Sequence, residues 1–247
     1  MSNVPVAPGT PRRDQIRREA ARLFAARGFL GVGVDEIGKA VGISGPGLYR
    51  HFPGKDAMLA DLLVGISERL LEEGRRRVSA PGGSQAVLDA LISGHVDFSL
   101  NDSDLITLHD RELLHLKEED RRRVRRLQRG YVELWVDAVR AAFPALAAAE
   151  AEPAARAAVH AVFGLLNSTP HSIGVRPTAV ADAATATVDA ATAAPTPAGA
   201  PTAVAAPAGR PAPGDRAGLL PRAEMAALLH RLAQGAFAAA ADGWSQA

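Results

Sequence analysis

Four side chains between residues 49 and 55, Tyr49, Arg50, His51 and Lys55, can donate hydrogen bonds to anionic oxygens. They follow Ser44 and a Gly45-Pro46-Gly47 stretch that offers no side-chain donor beyond the serine. Donors of this kind hold the phosphates of a nucleic acid and fix register without reading sequence. Gly38, Gly42 and Leu48 lie four and six positions apart. Two helices crossing steeply through a tight turn need a small residue at the approach, a glycine in the turn and an aliphatic plug on the second helix. The spacing is therefore that of a helix-turn-helix, whose second helix enters the major groove. Base readout falls to positions 45–47 and 50: Pro46 can touch thymine methyls and Arg50 can reach a guanine. The remainder of the specificity then comes from DNA shape.

A second set lies further along. His95, His109, Asp110, Glu112 and His115 include metal-ligand types, but no H-E-x-x-H spacing, phosphate loop or nucleophile elbow occurs. The expectation is no catalytic residue, metal or cofactor. Phe98, His109, Leu113, Tyr131, Trp135, Phe163 and Asn167 combine apolar bodies with polar tips and suit a small-molecule pocket, with Arg111, His109 and Asn167 placed to orient a polar or anionic head at its mouth. A metal-dependent or small-molecule enzyme and a purely structural helical protein are the competing readings. The second leaves the Tyr49, His51 and Lys55 set without a purpose.

The elements that must position these groups are all helical, because apolar residues recur at helical spacing and strand alternation is absent. Helices are expected over 13–27, stopped by Gly28, over 34–41, stopped by Gly42, and through 48–51 behind a Ser44 cap with Pro46 in the first turn. A long amphipathic helix is expected over 55–79, and others at about 84–100, 103–116, 119–142, 153–166 and 221–241. The arginines between 121 and 129 read as a solvated face paired with nearby acids. Residues 177–214 include 16 Ala and 7 Pro with no Leu, Ile or aromatic residue, and read as a flexible linker. Residues 1–11 read as a disordered arm.

Composition agrees with a globular class: 247 residues, 47% apolar, with no cysteine and hence no disulfide or thiolate chemistry. The net charge is +1, yet residues 1–55 hold nine Lys or Arg against four acids. One basic end on a neutral body points to a polyanionic partner. No secretory leader and no run of 18 uncharged apolar residues is visible, so a cytoplasmic protein without a membrane partner is expected.

Asp35-Glu36-Ile37-Gly38-Lys39-Ala40-Val41-Gly42-Ile43-Ser44 followed by Leu48-Tyr49-Arg50-His51-Phe52 and Lys55 resembles the N-terminal DNA-binding domain of the TetR family of transcriptional regulators. Ala20-Ala21-Arg22-Leu23-Phe24-Ala25-Ala26-Arg27-Gly28-Phe29 resembles that family's first helix and its exit. The resemblance covers about residues 12–60. It implies an all-α chain with a three-helix DNA-binding domain over 12–55 and a helical effector-binding and dimerising domain over 56–176 and 215–247. It also implies a homodimer on a double-stranded operator, a repressor released by a small, mainly apolar effector, pairing through the helices at 153–166 and 221–241. Where the family usually has Ser or Thr before the second helix this chain has Gly33, which removes a side-chain phosphate contact there.

Overall fold

Gly28 ends the first helix, α1 (Pro11–Arg27), in a left-handed conformation with φ +78° that a side chain disfavours. In this computed structural model, which describes residues 11–173 and 220–245, the chain then turns into α2 (Val34–Ala40) and α3 (Gly45–Tyr49). Gly42 makes the turn between them at φ +69°. Gly38 allows the close approach, since a Cβ there would come within 2.9 Å of the Ile43 carbonyl oxygen. Ser44 caps α3 by accepting the Gly47 N–H at 3.3 Å. Leu48 is fully buried with Ile16, Phe24, Ile37 and Phe52, forming the N-terminal core.

Beyond Gly54 run α4 (Lys55–Val78), α5 (Ser84–Asn101), α6 (Ser103–Arg111), α7 (Glu118–Ala142), α8 (Glu152–Ile173) and α9 (Arg222–Ser245). Short 3-10 turns stand at Leu113–His115, Pro144–Leu146 and Ala149–Ala151. The described residues contain no strand. The second core packs Leu88, Leu91 and Ile92 of α5, Trp135 and Val139 of α7, Val159, Val162 and Leu166 of α8, and Met225, Leu229 and Phe237 of α9. α4 runs through both cores, giving Met58, Leu59 and Leu63 to the first and Leu71 to the second. Burying one such leucine contributes about 1.5–3 kcal/mol, so this shared helix joins the two halves firmly.

Several expected boundaries shift: α3 ends at Tyr49 rather than at His51, and α9 runs on to Ser245. The helix expected over 103–116 ends at Arg111, and the 3-10 turn after it folds Leu116 into the N-terminal core. α8 does not stop at Asn167-Ser168-Thr169-Pro170 but continues to Ile173. A proline costs a helix one amide bond, and the buried Val159, Val162 and Leu166 face ahead of it keeps the helix docked. Pro11, assigned by sequence to the arm, begins α1. The rest of that arm and the 177–214 segment lie outside the described residues. No helix among the described residues is long and apolar enough to cross a membrane.

Candidate functional site

The exposed face of the N-terminal domain is built from α1, α2 and α3. Tyr49 projects from α3 with 54% of its surface exposed, Arg50 follows it exposed at the helix end, and His51 is half-buried. Pro46 is exposed, while Gly45 and Gly47 keep the start of α3 bare of side chains. Phe52 turns inward with 2% exposure, and the Arg13 guanidinium lies 4.8 Å above its ring. Gly33 precedes α2 without any side-chain cap.

Most cations at this end are already engaged. Arg13 and Arg17 bind Asp61, Arg22 binds Glu19, and Arg27 binds Glu36. The Asp61 hydrogen bond holds the Arg17 guanidinium above its ordinary range. Arg12 donates to Gln15 Oε1 and to the Val41 carbonyl, both at 2.9 Å. Lys55 also differs from its sequence assignment as a pure phosphate donor. Its Nζ donates to the carbonyls of Phe29 at 3.0 Å and Val32 at 3.2 Å and lies 4.5 Å from the Phe29 ring centre. It ties the exit of α1 to the start of α4, with one ammonium proton left over. Arg18, Lys39 and Arg50 have no ion pair among the described residues.

The helical domain encloses a cavity of about 480 Å³ between α4, α5, α6, α7 and α8. Its aromatic wall is a near-parallel stack: His95 lies 4.7 Å from Phe163 and Tyr131 lies 5.6 Å from Phe163, with Phe98 beside them. Tyr131 Oη donates to His95 Nδ1 at 3.3 Å, and His95 Nε2 donates to Asn167 Oδ1 at 3.1 Å. These bonds suit a neutral ring, and burial pushes the His95 imidazole down to about 4 and the Tyr131 hydroxyl up to about 12. His109 sits opposite in a similar setting. Its Nε2 donates to Ser67 Oγ at 3.1 Å, because the Ser67 proton goes to the Leu63 carbonyl, and Gln128 Nε2 donates to its Nδ1 at 3.0 Å. Burial lowers this ring to about 4 as well.

Phe98, His109, Tyr131, Phe163 and Asn167 all line the cavity. Three residues assigned to it by sequence do not. Trp135 is fully buried behind the wall, edge-on to Phe163 at 5.1 Å. Leu113 packs against the N-terminal core, and Arg111 is exposed outside the lining. Sequence reasoning missed Arg125, Gln128 and Arg129, which line the mouth. Positions 125, 128, 129 and 132 share one face of α7, a signal hidden by reading the whole arginine run as solvated. That reading holds for Arg121 and Arg122, which bind Glu118, and for Arg123, which binds Glu68. Arg156, also at the mouth, is committed to Glu133 and Glu152, whereas Arg125 and Arg129 have no ion pair among the described residues. The described residues hold no group of three His, Cys, Asp or Glu able to take a metal ion.

A helix-turn-helix with an exposed, donor-bearing second helix, joined through a shared helix to a cavity-bearing helical domain, is the architecture of a DNA-binding transcriptional regulator. The family model described as bacterial regulatory proteins, tetR family, matches residues 16–62, and that of the tetracyclin repressor-like C-terminal domain matches residues 81–171. The chain belongs to the TetR family, whose members are DNA-binding transcriptional regulators and not enzymes. It is 30% identical over 131 residues to the HTH-type transcriptional repressor KstR2 of Rhodococcus jostii (strain RHA1), covering 53% of this chain and 64% of that protein. It is also 30% identical over 96 residues to the transcriptional activator FasR of Mycolicibacterium smegmatis, covering 39% of this chain and 44% of that one. The matched stretch thus spans less than two thirds of either relative. Among solved structures, a TetR-family regulator from Bordetella parapertussis 12822 shares the fold with TM-score 0.59 and 24% identity, over 65% of this chain and 82% of that one. AibR, solved with isovaleryl coenzyme A and operator DNA, does so with TM-score 0.53 and 21% identity, over 64% of this chain and 84% of that one.

Proposed function

We propose that this chain is a homodimeric repressor. Residues 12–55 hold operator DNA, and residues 56–176 and 215–247 pair two subunits and bind an effector that releases them. The effector is a mainly apolar molecule with an anionic head, of which an acyl thioester on a polyanionic carrier is an example. The observation that carries this reading is the pairing of an aromatic-walled cavity with two uncommitted guanidinium groups, Arg125 and Arg129, one helical turn apart at its mouth. Charge-assisted hydrogen bonds from such a pair offset the desolvation of a carboxylate or phosphate, while Phe98, Tyr131 and Phe163 take the apolar body, and His109 and Asn167 add polar contacts. These arginines replace Arg111 as the head-group cations.

On the DNA side, Tyr49, Arg50 and His51 serve phosphates and one base edge, with Lys55 contributing its one spare proton. Ser44 and the bare Gly45-Pro46-Gly47 surface let the backbone of α3 approach the groove closely. Pairing uses α8 and α9, whose small residues Ala157, Ala161, Ala240 and Gly243 line a shallow groove that two copies can close into a four-helix bundle. The regulator works in the cytoplasm, where its operator is.

For a tenfold loss of DNA affinity the effector must favour the released dimer by about 1.4 kcal/mol. The test takes an operator selected from a random duplex pool and measures its release by decanoyl coenzyme A in gel shifts. The double variant Arg125→Gln, Arg129→Gln should bind the operator as the parent does but need at least tenfold more ligand. Equal sensitivity of the two proteins would sink the assignment of the cavity.

A further inference from the structure

We infer that His95 is a specificity-determining positioning residue: through its bond to Asn167 it leaves that residue's amide N–H groups to the cavity, so the effector carries a neutral carbonyl oxygen there in addition to its anionic head. The inference rests on the reading of the cavity as the effector site, and it deepens that reading by naming a second feature of the ligand.

A neutral imidazole has one donor nitrogen and one acceptor, and burial keeps the His95 ring neutral. Which nitrogen donates decides how Asn167 stands. Tyr131 Oη lies 3.3 Å from Nδ1, and Asn167 Oδ1 lies 3.1 Å from Nε2. The indole of Trp135 can only donate; its Nε1 is buried without a hydrogen bond of full geometry and acts on the Tyr131 hydroxyl. With a donor already directed at the Tyr131 oxygen, the hydroxyl proton goes to His95 Nδ1, and Nε2 is left as the donor to Asn167 Oδ1. An amide turned the other way would set its NH2 group against the Nε2 proton. Stacking on Phe163, 4.7 Å away and 17° from parallel, holds the plane of the ring.

Asn167 Nδ2 therefore keeps both of its protons. It has no hydrogen-bond partner among the described residues, and Asn167 is half-buried on the cavity lining, one turn of α8 beyond Phe163. The groups that hold it, His95, Tyr131 and Phe163, bear no charge, so they do nothing to offset the desolvation of a carboxylate. A carbonyl oxygen satisfies the waiting N–H donors without that cost. A methylene in the same place leaves the amide protons unpaired, and a site built to hydrogen-bond its ligand discriminates against an analogue that lacks the partner atom. The relay from Trp135 through Tyr131 and His95 to Asn167 draws on α7, α5 and α8, so the orientation of the amide is set by three packed helices rather than by α8 alone.

The test begins on the full-length protein without ligand. Nitrogen-15 spectra of the imidazole rings, with the His95 signals identified by their loss in His95→Gln, should report a neutral ring protonated at Nε2. A ring protonated at Nδ1 overturns the inference, because Asn167 would then present its oxygen to the cavity. Binding of two uncharged fragments is measured next by titration of the Trp135 indole N–H resonance: acetophenone, and α-methylstyrene, which has a CH2 group in place of the carbonyl oxygen. The parent should prefer acetophenone by about tenfold. His95→Phe keeps the ring stack but removes both hydrogen bonds, and should bring the two fragments to about equal affinity. His95→Gln, whose amide nitrogen can donate to Asn167 Oδ1, should recover most of the preference. Asn167→Leu should abolish it and serves in place of His95→Phe if that variant does not fold. The ratio is the readout, because a role in packing alone weakens both fragments alike. Equal binding of the two by the parent, binding of neither, or a parent-like ratio in His95→Phe or Asn167→Leu overturns the inference. Decanoyl coenzyme A is then compared with S-decyl coenzyme A, which has the same chain and head without the carbonyl. A carbonyl preference among the fragments with no binding of either coenzyme A derivative upholds the role of His95 and refutes the proposed thioester effector.

Discussion

His95 and His109 are neutral in the folded protein, because each is held near 4 by burial whereas an exposed histidine titrates near 6.5. Above about pH 6.5 neither the folded nor the unfolded chain carries these protons, and stability is at its full value. As the pH falls from 6.5 toward 4 the unfolded chain takes up protons that the folded chain refuses, so stability is lost across that window and no further below it. At pH 5 each ring should cost about 2 kcal/mol relative to pH 7.5. Urea midpoints at the two pH values measure this, and His95→Gln should flatten the difference by about half. Lys55 yields a second residue-scale prediction with two separable readouts. Lys55→Met should lose about 1–3 kcal/mol of stability through the Phe29 and Val32 carbonyls, and should lower the salt slope of DNA binding by about one through its remaining proton. A stability loss without any change in slope would leave Lys55 a purely structural cation.

At the scale of elements, the helix-turn-helix depends on a few positions where sterics decide. Gly42 at φ +69° has open space around it, so Gly42→Ala should cost about 1 kcal/mol from backbone strain alone. Leu48→Ala removes a fully buried side chain from beneath α3 and should cost about 2–5 kcal/mol. Denaturant titration separates the two, and the larger loss should fall on Leu48. Tyr49→Ala, one position along and largely exposed, should leave stability within about 0.5 kcal/mol of the parent. The early end of α6 has a function at this scale too. Had the helix continued through 116, Leu116 would not fold back into the N-terminal core beside Leu108.

For the whole molecule, the division of charge bears on the proposed arrangement of two subunits on DNA. The basic excess resides in residues 1–55, and the faces of α8 and α9 around Ala157, Ala161 and Ala240 carry no charge of their own. Ala161→Arg introduces a cation into a surface that two copies would have to bury. If the proposed pairing through α8 and α9 holds, the parent should sediment as a dimer and the variant as a monomer, with thermal stability of the subunit nearly unchanged. Operator affinity should then fall by at least 100-fold, since each half-site must be bound separately. A dimeric Ala161→Arg protein would move the pairing surface away from α8.

Periodicity and punctuation in the chain were sufficient for the helices and for the helix-turn-helix, because both are local. Gly28, Gly42 and Ser44 act through their own backbone and nearest neighbours, and the 38, 42 and 48 spacing reports a contact between adjacent elements. The aromatic and polar lining was legible in part for the same reason: Phe98, Tyr131, Phe163 and Asn167 stand on the inward stripes of their helices. Distance along the chain hid the rest. Arg125 and Arg121 look alike in sequence, yet one borders a cavity that residues of α6 and α8 also line and the other binds Glu118. Lys55 reads as a free cation until the chain folds two carbonyls from 23 and 26 residues upstream onto its ammonium. Trp135 lies on the inward stripe of α7 but behind Phe163, and such layering depends on how neighbouring helices are rotated against one another, which one helix's own sequence does not encode.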